Sequence, residues 1–170
     1  MAVRLILAFT VTLCTALAGR ALGSGHTRSA DGLRVLMDDL QTLRTITLER
    51  LLPIRAALLE MKLPCLRMTG EEMTADGALL PAAAWARVSD RERTPGGKME
   101  DFSDEDSGEV FALFEALNHL SRRDQDAQYA RTIARLGKRE EAVRAAGREK
   151  SKLYTSLGAL VGLMVSVMLV

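Results

Sequence analysis

Eighteen uncharged residues, Leu153 to Val170 (LYTSLGALVGLMVSVMLV), follow Arg148, Glu149, Lys150 and Lys152 and constrain the chain more than any other stretch. As a helix rising about 1.5 Å per residue they reach roughly 27 Å, close to the hydrocarbon thickness of a bilayer. Helix is also the conformation that satisfies every backbone polar group in lipid. The spacing therefore predicts a C-terminal transmembrane helix over 153–170.

The opposite end is almost as apolar. Leu5 to Gly19 (LILAFTVTLCTALAG) lies between Arg4 and Arg20. Two readings stand: an N-terminal transmembrane helix over 1–23, or a signal peptide whose basic start, apolar core and Ala16-Leu17-Ala18 step lead to cleavage near Gly19. Charge placement bears on the choice, because Arg20, Arg28, Arg34, Arg148, Lys150 and Lys152 all sit on the inner sides of the two apolar ends. Positive residues stay cytoplasmic. With both helices retained, the middle is cytosolic and the chain is a multi-pass membrane protein; cleavage puts the middle outside, against that bias.

The polar middle, taken as a soluble helical domain over 26–152, suffices for one small domain. Leu, Ala, Arg and Glu dominate it, and no segment alternates like a hairpin, so the fold class is all-α: a small helical bundle between transmembrane helices. A net charge of +1 gives no reason to expect nucleic acid as a partner. Cys14 in the apolar end and Cys65 in the middle are expected to be reduced.

Leu33, Leu36, Met37, Leu40, Leu43, Ile46 and Leu51 recur at threes and fours, which predicts one apolar helix face beginning near Ser29 and ended or kinked by Pro53. Ile54, Ala57, Leu58 and Met61 continue the period until Pro64 and Gly70 punctuate the chain. A short helix is expected over Pro81 to Val88. Ser89 to Gly108 (SDRERTPGGKMEDFSDEDSG) reads as an exposed charged loop. Val110, Leu113, Phe114, Leu117 and Leu120 form a further stripe, with Asp104, Glu105 and Asp106 at its positive end. One long helix is expected from Asp124 into the bilayer.

Catalytic chemistry finds little footing. His26 and His119 have no metal-ligand spacing around them and there is no glycine-rich phosphate loop, so no catalytic residue, metal site or cofactor is assigned. Trp85 reads as packing, and Glu71-Glu72 and Glu140-Glu141 as solvated helix faces. The stretch Arg122, Arg123, Asp124 and Gln128 has two readings: a helix cap, with Ser121 or Asp124 as N-cap and Gln128 bonding back to Asp124, or an exposed partner-docking corner. In the apolar ends, Gly158, Gly162 and Ser166 repeat every four residues, as do Ala8, Thr12 and Ala16. Such small-residue faces allow close packing of antiparallel transmembrane helices.

The last third resembles the stage III sporulation protein AB family of endospore-forming bacteria, itself similar to the type II secretion F platform proteins. Leu120-Ser121-Arg122-Arg123-Asp124 with Gln128 looks like that family's leucine-glycine-x-x-aspartate-x-x-x-glutamine stretch. Glu140-Glu141-Ala142 matches an acidic, alanine-containing helix, and Lys152 through Leu163 its closing lysine, Ser-Leu-Gly and Gly-Leu pattern. Pro53-Ile54 and Ala84-Trp85 are shorter matches. Ser121 stands where the family has glycine, and the family's acidic and aromatic residues before the proline pair are missing around Ile46 to Leu52, the mark of a divergent member. The resemblance implies a non-enzymatic component of the secretion-like complex between mother cell and forespore, on the mother-cell side of the outer forespore membrane. It implies as partners a cytosolic secretion-type ATPase, other integral membrane sporulation proteins and the lipid bilayer. The alternative reading is a secreted, tail-anchored helical adaptor with a cleaved leader.

Overall fold

The structure, a computed structural model, describes residues 24–169. Among them are six helices and no strand: α1 (Ser24–Leu48), α2 (Ile54–Leu59), α3 (Pro64–Ala75), α4 (Pro81–Glu92), α5 (Asp104–Leu117) and α6 (Arg122–Leu169). The all-α expectation is met. Two units are separated, one of residues 31–140 and one that holds the described residues 24–30 and 141–169. The core lies in the first.

The α1 stripe is buried as its spacing demands: Leu33, Leu36, Leu40 and Leu43 are fully enclosed and Ile46 nearly so, whereas Met37 is half-buried and Leu51 exposed. The helix stops at Leu48, ahead of Pro53. Leu51 takes a left-handed conformation (φ 62°), the one non-glycine residue to do so among those described, and Leu52 N–H returns to the Ile46 carbonyl at 3.3 Å. Pro64 and Pro81 each open a helix at its first turn, where a missing N–H costs nothing. The buried carboxylate of Asp39 accepts from the Leu63 N–H at 2.6 Å, so α1 caps α3 from across the core.

Besides α1, which begins at Ser24 rather than near Ser29, three boundaries differ from expectation. Gly70 does not punctuate the chain; it lies within α3, buried where that helix crosses α2, and a Cβ there would sit 3.0 Å from Leu58 Cβ. The absence of a side chain is what lets the two helices meet so closely. Second, Ser89 to Gly108 is largely not an exposed loop. Residues 89–92 extend α4, residues 104–108 begin α5, and Met99 and Phe102 between them are buried. Phe102 reaches the α1 backbone at Gly32, and Met99 N–H bonds to the Glu92 carbonyl at 3.1 Å. Two apolar residues isolated among charges show no period, yet they pin this crossover to the core. Third, the long helix starts at Arg122 rather than Asp124.

Trp85 is packing, as read. Its ring meets Phe114 edge to face at 6.0 Å, its Nε1–H donates to the Ser107 carbonyl at 3.0 Å, and Ser89 and Ser107 hydroxyls share a bond of 2.7 Å. These contacts join α4 to α5. Ion pairs hold the first part of α6: Arg139 Nε to Asp106 at 2.5 Å and Arg135 to Glu109 at 3.2 Å on the α5 side, and Arg44 of α1 to Asp126 at 2.6 Å.

In the other unit, α6 continues helically to Leu169, and the described side chains of Leu153, Leu160 and Met164 are 57%, 65% and 74% exposed. No helix among the described residues is long and apolar enough to cross a membrane. The expected N-terminal span, with Ala8, Thr12 and Ala16, lies outside the described residues, as do the side chains of Gly158, Gly162 and Ser166.

Candidate docking site

The turn from α5 into α6 brings together the residues singled out for docking. Of the two candidate caps, Ser121 takes the role. Its hydroxyl donates to Asp124 Oδ2 at 2.5 Å and accepts from the Asp124 N–H at 3.4 Å, so Asp124 is the third residue of the first turn and supports the cap from there. Gln128 is half-buried, and the side chain that closes the turn is Gln125. Its amide donates to the carbonyls of Leu117 at 2.9 Å and Leu120 at 3.2 Å. Cap and docking corner thus prove compatible: Ser121 and Asp124 build the end of the helix, while Arg122 and Arg123 remain exposed and form no ion pair among the described residues.

Beside the α5–α6 turn is a cavity of about 210 Å³. Thr47 of α1, Leu52 and Ile54 around the α1–α2 turn, Leu117 and Asn118 at the end of α5, and Gln125 and Tyr129 of α6 line it. Tyr129 is 1% exposed, and burial pushes its phenol up to about 12. The Thr47 hydroxyl is close enough to soften that rise, but its own proton goes to the Leu43 carbonyl at 2.7 Å. The geometry leaves Tyr129 Oη without a hydrogen-bond partner among the described residues. Arg122, Gln125 and Tyr129 stand at i, i+3 and i+7, a spacing that puts them on one face of α6. That spacing was available in the sequence; the unpaired hydroxyl was not.

A polar cluster lies further along α6. Ser103 and Asp106 form a reciprocal capping box at the start of α5, with Ser103 N–H to Asp106 at 3.0 Å and Asp106 N–H to Ser103 Oγ at 3.2 Å. Arg139 completes it by donating to Asp106, to Glu105 and to Ser103 Oγ, the last at 2.8 Å. Hydrogen bonds to Glu105 and Asp106 hold the guanidinium above its ordinary range despite partial burial. Every polar group here is satisfied within the cluster, which suits a clamp between helices more than a reactive centre.

Elsewhere, Cys65 is a free, buried thiol, pushed up to about 12 chiefly by burial. His119 is exposed beside the turn. No group of three or more His, Cys, Asp or Glu side chains that could hold a metal ion occurs among the described residues.

What this geometry defines is an all-helical domain whose polar side chains are spent on caps and clamps, with one exposed basic corner and a neutral cavity beside the same turn. The chain belongs to the stage III sporulation protein AB family, whose sequence profile matches residues 4–170, and a role in sporulation follows from that membership. No curated protein and no solved structure matches the chain.

Proposed function

We propose that this protein is a non-enzymatic platform of the secretion-like complex between mother cell and forespore, coupling a cytosolic secretion-type ATPase to integral membrane partners. The observation that carries the reading is the continuity of α6. One helix begins at the exposed Arg122-Arg123 corner and runs on through the apolar segment to Leu169. A contact made at the corner is therefore covalently and helically continuous with the proposed anchor. In this reading 153–170 spans the membrane, and the exposed Leu153, Leu160 and Met164 are side chains suited to lipid. Residues 1–23 form the other anchor, and the basic residues inside both apolar ends keep the domain in the mother-cell cytosol at the outer forespore membrane. Family membership over 4–170, both apolar ends included, supports this plan.

Co-purification from sporulating cells tests it. The cytosolic ATPase of the proposed complex should co-purify with the wild-type chain and be lost from the Arg122→Glu, Arg123→Glu double variant, with helix content and melting nearly unchanged, since exposed substitutions shift stability by less than about 0.5 kcal/mol. Failure of the wild-type chain to retain the ATPase refutes the coupling role. A melting drop of several degrees with the ATPase retained assigns the arginines to the cap alone. Topology is checked by Asp90→Cys: this exposed position should resist a membrane-impermeant thiol reagent in intact cells and react after lysis.

A further inference from the structure

The outward face of α6 sorts its charges. Between residues 127 and 138 the exposed side chains are Ala127, Ala130 and Ala134 together with Arg131, Arg135 and Lys138. No aspartate or glutamate occurs anywhere in that stretch, although the whole chain has a net charge of only +1. Arg135 is drawn toward α5, where it pairs with Glu109 at 3.2 Å. Arg131 and Lys138 form no ion pair among the described residues. A solvated helix face usually mixes its signs, so that a cation finds an acid one turn away, as Arg67 finds Glu71 on α3 at 3.9 Å. Here no acid stands four residues from either cation, and the exposed Glu141 beyond Lys138 does not pair with it. Seven residues separate Arg131 from Lys138, which sets both on one edge of the face, about 10 Å apart along the axis. Beside them the alanines stand at i, i+3 and i+7, the spacing of a seam between two packed helices.

We propose that this face binds an acidic helix of a partner protein, laid along α6. Carboxylates seven residues apart on the partner's edge pair with Arg131 and Lys138, and its apolar side rests on the alanines, whose short side chains let the two axes approach to about 8 Å. Charge complementarity selects the sign of the partner, since a basic helix meets two unpaired cations. The same residues select a helix over a nucleic acid, because the face offers no exposed aromatic ring for stacking and no exposed amide for reading a base. They also select it over a lipid surface, since an interfacial membrane helix buries bulky apolar side chains and this face has only methyl groups. Arg131 and Lys138 lie about two and a half and four and a half turns beyond Arg122. The face is therefore a surface separate from the Arg122-Arg123 corner, and it does not depend on which protein docks there.

The test uses the full chain in nanodiscs of zwitterionic lipid and a fluorescein-labelled helical peptide of about 20 residues. The peptide carries alanine and leucine along one side, glutamate at seven-residue intervals on both edges and glutamine elsewhere, and anisotropy at low salt follows its binding. Saturable binding is expected, weaker by about tenfold or more when lysine replaces the glutamates. Arg131→Glu and Lys138→Glu should each weaken it about fivefold, whereas Lys98→Glu, the same change of charge on an exposed side chain of the α4–α5 crossover, should alter it by less than about twofold. Ala134→Gln is neutral and keeps the helix, but puts a longer side chain into the seam; it should weaken binding about fivefold with melting unchanged. That result separates a packed helix from diffuse attraction to positive charge. The Arg122→Glu, Arg123→Glu variant should bind the peptide within about threefold of wild type. The proposal is overturned by the absence of saturable binding up to about 1 mM, by equal binding of the lysine peptide, or by an Ala134→Gln affinity within about twofold of wild type. It is also overturned if a duplex oligonucleotide or phosphatidylglycerol vesicles displace the peptide at equal charge concentration, which assigns the cations to nucleic acid or lipid. Binding lost in the corner variant but kept in Arg131→Glu and Lys138→Glu moves the acidic partner to the corner and removes this face.

Discussion

Replacing Gly70 by alanine sets two effects of opposite sign against each other. Alanine is favoured over glycine inside a helix by about 1 kcal/mol, partly because the unfolded chain loses freedom. Gly70 is buried in α3, however, and the new Cβ would lie 3.0 Å from Leu58 Cβ and 3.2 Å from both the Leu59 backbone nitrogen and Leu59 Cδ2. The Leu59 side chain is partly exposed and can swing aside. The backbone nitrogen and Leu58 Cβ cannot move without shifting α2, and overpacking of that kind costs about 1–3 kcal/mol. The steric cost is the larger, for a net loss of up to about 2 kcal/mol.

Two other helical glycines serve as controls. At Gly108 of α5 a Cβ meets nothing within 4 Å, so alanine should stabilise by most of the about 1 kcal/mol propensity difference. At Gly137 of α6 the nearest atom is Met37 Sδ at 3.7 Å, an ordinary contact with a flexible side chain, and alanine should again stabilise. Urea unfolding of the full chain in detergent, followed by the fluorescence of its single tryptophan, Trp85, reads all three. Each kcal/mol corresponds to about 4–8 °C in Tm for a domain of this size. A Gly70→Ala variant stabilised as much as Gly108→Ala refutes the close approach of α2 and α3, and loss of stability at all three sites refutes the propensity argument.

Cys65 carries a pH dependence: its thiol is raised to about 12 in the fold and titrates near 9 in the unfolded chain, so below pH 9 both states hold the proton and nothing changes. From about pH 9 to 12 the unfolded state alone releases it, and stability should fall across that window; Cys65→Ala should flatten this part of the urea-midpoint profile, and an unchanged slope assigns it to other groups. In the apolar end, Gly162→Ile should weaken assembly of the membrane complex whereas Leu163→Ile, about 100° round the helix, should not; equal assembly at matched abundance removes the small-residue groove.

Legibility in the sequence followed the range of the interaction. The α1 stripe could be read because Leu33, Leu36, Leu40 and Leu43 repeat within one helix, and the Ser121 cap because its partner Asp124 is three residues away. Pro81 marked a helix start for a reason local to the backbone, whereas Pro64, read as a break, opens α3, a helix the periodicity did not reveal. Gly70 was misread because its role lies in another helix: without Leu58 opposite, a glycine after a proline looks like punctuation. The crossover from Arg93 to Ser103 hid Met99 and Phe102, since two buried residues among charges have no periodicity to detect. Arg139 and Asp106 are 33 residues apart, and Tyr129 and Thr47 come from different helices to line one cavity, so neither juxtaposition leaves a spacing signal. The exposed corner was therefore legible only in its arginines, and the cavity beside the α5–α6 turn not at all.

For a contact at the corner to act on anything beyond it, the first part of α6 must resist sliding against its neighbours. The ion pairs there differ in how much they can contribute. Arg135 with Glu109 and Arg44 with Asp126 have at least one partner substantially in solvent, and such pairs are worth at most about 1 kcal/mol each. Arg139 is different because its partner Asp106 is 5% exposed at the side chain. Removing the guanidinium leaves a buried carboxylate with only Ser103 to satisfy it, a loss that reaches about 3–5 kcal/mol for fully enclosed pairs. Arg139 is itself 30% exposed, and water can reach the vacated side, which brings the figure nearer about 1–3 kcal/mol. Even discounted, this one clamp outweighs either of the other two pairs. It fixes α6 to the capped start of α5 nearly five turns beyond Arg122, so a load applied at the corner is borne between two anchored points of the same helix rather than dissipated in a loose end.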